Sequence, residues 1–135
     1  MIVDTSALLA YFDSNESAHQ AVTDVIESTS EPLVVSPYVV AELDYLVATR
    51  IGVDAELAVL RELTGGAWDI AQFGPAQLDS AITLIAKYRD QQIGVTDASN
   101  VVLAGQYRTR TIATLDHRHF NTLRPLGGGR FSIVP

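Results

Sequence analysis

Apolar residues in this chain of 135 residues fall into two patterns: short solid runs, and runs spaced three and four apart. The solid runs predict buried strands and the spaced runs predict amphipathic helices. Strands are expected at Met1–Val3, Leu33–Val35, Trp68–Phe73, Thr111–Leu115 and Phe131–Val134. Helices are expected at 5–12, 16–28, 37–50, 54–63, 75–89 and 97–107, with a short turn or helix at 117–122. Local signals sharpen several ends. Ser36 followed by Pro37 is a helix start, because serine caps and proline suits the first helical position. Gly65-Gly66 stops the helix before it, and Thr96 is the expected cap of the helix that follows it.

Strands alternating with helices imply parallel pairing, hence an α/β sandwich with helices on both faces of a five-stranded sheet. The length suits one domain spanning 1–135, since smaller pieces would bury poor cores. In such sheets functional groups collect beyond the carboxyl ends of the strands. That rule draws attention to acids in unexpected places. Asp4 closes the first apolar run and Asp116 closes the fourth, so both fall just past a strand end. Asp97 falls in the first turn of a helix, where the dipole favours a carboxylate. Glu42 lies in a largely apolar helix whose buried stripe is Val39, Val40, Leu43, Leu46 and Val47. It borders that stripe on one side and Asp44 borders it on the other, so periodicity does not choose between them.

Each acid alone has a plainer reading: Asp4 as a helix cap, Asp97 as an ordinary first-turn acid, Glu42 as a solvated flank. Together they say more. Carboxylates sharing a site repel, and one must protonate unless a cation neutralises them. Oxygen-only ligands suit Mg²⁺ or Mn²⁺. Such an ion readies a water and orients a phosphodiester. Thr5 and Ser6, beside Asp4, are placed to support a water or a ligand. His117 and His119 are read as surface or substrate contacts rather than metal ligands.

Composition narrows the classes. The absence of cysteine excludes disulfides, thiolate zinc sites and cysteine nucleophiles, and suits a reducing cytoplasm. No apolar run approaches the ~20 residues of a membrane span, and no secretory leader is visible. The formal charge of −7 hides an asymmetry: residues 1–100 carry four basic residues and fifteen of the sixteen acids. Residues 101–135 carry Arg108, Arg110, Arg118, Arg124 and Arg130 against Asp116 alone. A local basic patch of this kind steers a phosphate backbone even when the total is acidic. Arg108, Arg110 and Arg118, with Arg130, are therefore the candidate substrate contacts.

At this point the chain resembles the PIN domain, and specifically the toxin ribonuclease of VapBC toxin–antitoxin pairs. Ile2-Val3-Asp4-Thr5-Ser6-Ala7-Leu8-Leu9-Ala10 matches the first motif of that family, and Ser36-Pro37 through Glu42-Leu43 matches the second. Thr96-Asp97-Ala98 matches the third, and Thr114-Leu115-Asp116 through Phe120 the fourth. The resemblance spans the chain in the family's order and selects Glu42 over Asp44. It implies a three-layer α/β/α fold with strand order 3-2-1-4-5 and an Mg²⁺- or Mn²⁺-dependent endoribonuclease. Asp4, Glu42, Asp97 and Asp116 would form the acidic centre, with Asp4, Asp97 and Asp116 on the metal and Thr5 or Ser6 in support. It also implies an RNA substrate, a homodimer and an antitoxin whose C-terminal segment covers the groove. Many relatives have another acid just before the phenylalanine of the last motif; here that position is His119, leaving Asp116 the only acid at this corner. Two rival readings remain. An aspartyl phosphatase of the haloacid-dehalogenase type wants a second Asp two residues after Asp4, where Ser6 stands. A binding module would hold a structural ion and do no chemistry.

Overall fold

A computed structural model describes residues 1–135. Five strands form one parallel sheet: β1 (Ile2–Val3), β2 (Leu33–Val35), β3 (Trp68–Ile70), β4 (Thr111–Ala113) and β5 (Ser132–Val134). Their order is β3-β2-β1-β4-β5, the expected 3-2-1-4-5. Seven helices surround it: α1 (Thr5–Phe12), α2 (His19–Ser28), α3 (Pro37–Arg50), α4 (Val53–Leu63), α5 (Pro75–Lys87), α6 (Val95–Gln106) and α7 (His117–Thr122).

Alternation along each strand sorts the core into two halves. Ile2 pairs with Val34 and Ile112, and these three point into one cluster with Ala81 and Leu84 of α5 and Val101 and Leu103 of α6. Val3, Val35 and Ala113 point the other way, against Leu8 of α1, Val22 of α2, Leu43 of α3 and Leu63 of α4. The three central strands β1, β2 and β4 are buried or nearly so on both faces, whereas the edge strands β3 and β5 are largely exposed or half-buried. No helix is long and apolar enough to cross a membrane.

Several ends differ from the sequence reading. Helix α2 begins at His19 rather than 16, because the Asp13 side chain accepts the Asn15 N–H at 2.9 Å and holds a turn there. Strand β3 ends at Ile70 rather than Phe73. The cap of α6 is Gly94, not Thr96, which lies inside the helix. The start of α3 is as expected: Ser36 Oγ accepts the Tyr38 N–H at 3.2 Å, with Pro37 first in the helix.

The sheet reverses its winding at β1. The chain steps to β2 and β3 on one side and later to β4 and β5 on the other. A crevice therefore opens beyond the carboxyl ends of β1 and β4, where Asp4 and Asp116 lie.

Candidate active site

The core of the site is Asp4, which is buried. It occupies the cap position of α1, yet its side chain makes no capping bond, so the plain helix-cap reading fails. Its carboxylate is instead tied into the fold by three donors. Asn100 Nδ2 donates to Oδ1 at 3.0 Å. Ser6 Oγ and Thr114 Oγ1 donate to Oδ2 at 3.0 and 2.8 Å. Both hydroxyls in turn accept backbone N–H groups, Leu115 N–H to Ser6 at 2.9 Å and Asp116 N–H to Thr114 at 3.0 Å. With both protons spent on Asp4, the 3.1 Å approach of Ser6 to Thr114 carries no hydrogen bond. A carboxylate has about four lone-pair positions, so one on Oδ1 remains free. Asp4 thereby fixes the loop after β4 while keeping an oxygen for a ligand.

Around Asp4 lies an open pocket of about 400 Å³ lined by Thr5, Ser6, Glu42, Arg50, Asp97, Asp116 and His119, among others. All four acids singled out from the sequence thus meet in one place. Glu42 faces this pocket, whereas Asp44 lies against Glu56 of α4, whose carboxyl it pushes up. The two borders of α3 that periodicity left equal are separated by what each one faces. A hydroxyl pair holds α3 and α6 in register: Ser36 and Ser99 are 2.6 Å apart, and Ser99 also donates to Thr96 O at 2.7 Å.

Electrostatically the pocket is unresolved. Burial, then the charge of Asp4, push Asp97 up to about 6; Asp116 and Glu42 add to the rise and His119 opposes it. His119 Nδ1 stands 3.1 Å from Asp97 and 2.9 Å from Asp116, but neither contact has hydrogen-bond geometry. It sits between the two acids as a half-buried wedge on the pocket wall, a place compatible with the substrate-contact part of its sequence reading. Asp116 Oδ1 accepts the His119 N–H at 3.1 Å and caps α7, leaving this acid partly committed. No three acidic or imidazole groups converge as a ready-made metal cage. Thr5 Oγ1, on the pocket wall, is buried without a hydrogen-bond partner. An orphaned hydroxyl among repelling carboxylates suits a hydrated divalent ion, whose water would satisfy it.

The candidate arginines separate. Arg118 is exposed on α7, next to Asp116. Arg108 and Arg110 are not at the acidic rim. They precede β4 and line a cleft with Met1, Glu31 and Pro32, which precede β1 and β2. In a parallel sheet that is the opposite end, so these two arginines do not share one patch with Arg118. Arg130, just before β5, also lies at that end. The cation on the wall of the acidic pocket is Arg50, which sequence reading passed over. Its spacing was a signal: Glu42, Leu46 and Arg50 lie four apart on one stripe of α3. Asn100, likewise missed, lies three residues after Asp97 on the same face of α6.

A family model described as the PIN domain matches residues 1–124. The chain belongs to the PIN-domain family, as its sheet order and motifs suggested. Its likeness narrows further to the VapC type: Ribonuclease VapC26 of Mycobacterium tuberculosis is 67% identical over 135 residues, the whole of both chains. Among solved structures, Mycobacterium tuberculosis VapC20, a sarcin–ricin loop cleaving toxin, matches with a TM-score of 0.85 at 16% identity, over 99% of this chain and 98% of that one. FitAcB from Neisseria gonorrhoeae matches with a TM-score of 0.63 at 21% identity, over 85% and 86%. At those identities the two structures speak for the fold.

Proposed function

We propose that this chain is a metal-dependent endoribonuclease, the toxin of a type II toxin–antitoxin pair, acting on cytoplasmic RNA to inhibit translation. The gathering of Asp4, Glu42, Asp97 and Asp116 around one open pocket carries the reading, and the likeness to a ribonuclease across the full length supports it. Asp4, through its free Oδ1 position, and Asp97 would hold an Mg²⁺ or Mn²⁺ ion, with Asp116 ligating directly or through water. When bound, such an ion supplies charge for a phosphate oxygen and acidifies a water. The side chains do the rest. Glu42, exposed at the pocket wall, orients the attacking water and accepts its proton. Ser6, Thr114 and Asn100 hold Asp4 in one rotamer. Thr5 holds a water at the pocket wall, and Arg118 meets the RNA backbone beside Asp116.

An antitoxin and a second copy of the chain are the proposed protein partners. Tyr45, Ile51, Val53 and Leu57 stand exposed on and between α3 and α4, apolar area that supports association. The phosphatase reading gains nothing from the site, since Asp4 is hemmed by three donors and Ser6 is one of them.

The test is cleavage of total RNA by purified protein with Mn²⁺ and with EDTA. Cleavage is expected only with the metal, and Asp4→Asn or Asp97→Asn should lower it by at least about 100-fold with the fold intact. Full activity in either variant, or in EDTA, would overturn the assignment.

A further inference from the structure

The end of the sheet far from the acids carries a second charged feature. Arg108 and Arg110 flank Thr109 between two adjoining clefts, of about 420 and 180 Å³. Neither guanidinium has a carboxylate within ion-pair distance. The one acid in the larger cleft, Glu31, is already engaged. It takes the N-terminal ammonium at 2.7 Å and accepts Thr109 and Thr111 hydroxyls at 3.0 and 3.3 Å. The arginines are thus left with free donors.

Arg108 is also held there against local preference. Helix α6 ends with Thr109 N–H bonded to Ala104 O at 3.0 Å and Arg108 N–H to Gly105 O at 3.3 Å. That pattern puts a left-handed residue at the position glycine usually takes. Here it is Arg108, with φ of 54°. A left-handed residue other than glycine is strained, and glycine would fill this position at less cost. Arg110 lies over the Gly127–Gly129 turn, where a Cβ at Gly129 would stand 2.8 Å from its Nη1. Gly128 and Gly129 both take positive φ, and the guanidinium rests in the space a side chain at Gly129 would enter.

We infer that Arg108 and Arg110 form a second phosphate site, which grips the backbone of a folded RNA remote from the scissile bond. Two forked, always-charged guanidiniums suit phosphate oxygens. Tyr107, half-buried on the same cleft, adds an aromatic face of the kind that stacks on bases. That pairing of aromatic and arginine favours RNA over an acidic peptide. The inference rests on RNA being the substrate. From Asp97 to Gln106, two residues short of Arg108, the axis of α6 alone runs about 14 Å at ~1.5 Å per residue. At the ~3.4 Å rise of a stacked strand this is about four steps, more than the three that a stacked tetranucleotide spans, so a longer or folded RNA is needed to reach both ends.

The test measures binding in EDTA, which stops cleavage, using a tetranucleotide and an RNA hairpin of about 25 nucleotides. The double variant Arg108→Gly/Arg110→Gln should bind the hairpin about tenfold or more weakly. Its slope of log affinity against log salt should fall by about 1.5, the share of two phosphates. Tetranucleotide affinity should change by less than about twofold. Arg108→Gly alone should raise the Tm by a few degrees while weakening hairpin binding, because glycine relieves the left-handed position. Equal losses on both RNAs, or no loss on either, would overturn the site. Polyglutamate binding the wild type more tightly than the hairpin does would also overturn it, pointing to an acidic protein segment. A Tm drop in Arg108→Gly with unchanged binding would reduce Arg108 to a helix-end cation. Mn²⁺-dependent cleavage by the wild type, run in parallel, reports separately on the nuclease reading.

Discussion

Glu31 and Asp97 are carboxylates at opposite ends of one sheet, and the fold treats them in opposite ways. At the amino end the N-terminal ammonium, with Thr109 and Thr111, holds Glu31 below its usual range. At the carboxyl end burial and three other acids push Asp97 up to about 6, and the imidazole of His119 only partly opposes them. One acid is compensated by the chain itself. The other stands half-buried among like charges, which supports the proposed cation site. The difference separates a carboxylate that the fold compensates from one that it crowds with like charge.

Stability against pH should expose the contrast. Asp97 holds its proton more tightly folded than unfolded, so metal-free protein loses stability as pH rises from the ordinary carboxyl range near 3.8 through about 6. Asp97→Asn should remove that loss and stabilise the metal-free protein by about 2 kcal/mol at pH 7, with no gain at pH 3. Denaturant unfolding at the two pH values checks this; a destabilised variant at pH 7 would break the comparison. Ser6→Ala should cost about 1–2 kcal/mol, because it frees the Leu115 N–H and takes one donor from Asp4. It should also slow cleavage by about tenfold, since Asp4 is then held by two donors. Glu31→Gln has the smallest expected effect and the opposite sign to Asp97→Asn. Glu31 is lowered in the fold, so its contribution is present at neutral pH and fades as pH falls through the acid range. For so exposed an acid the loss at pH 7 should be less than about 1 kcal/mol.

Much of this was legible in the order of residues. Alternating strands and helices gave the class, and strand-end placement drew out Asp4 and Asp116 before any likeness was invoked. The strand order and the preference for Glu42 came from the family pattern. What escaped reading depends on contacts across the fold. Thr114 reads as the polar tail of an apolar strand, yet its hydroxyl binds a carboxylate 110 residues away. Asn100 reads as an interior helix polar residue, though its spacing from Asp97 placed it on the same face. The arginines misled for a simple reason. Charge counted along the chain cannot tell which end of a parallel strand a residue occupies, and Arg108 and Arg110 come before β4 whereas Asp116 comes after it.

Titration of Mn²⁺ into wild type, Asp97→Asn and Glu31→Gln at pH 7, followed by calorimetry, tests the central contrast most directly. Wild type and Glu31→Gln should bind the ion alike, and Asp97→Asn should bind at least about tenfold more weakly. Undiminished binding by Asp97→Asn, or binding lost with Glu31, would contradict the claim that the carboxyl-end acids are the ones awaiting a cation.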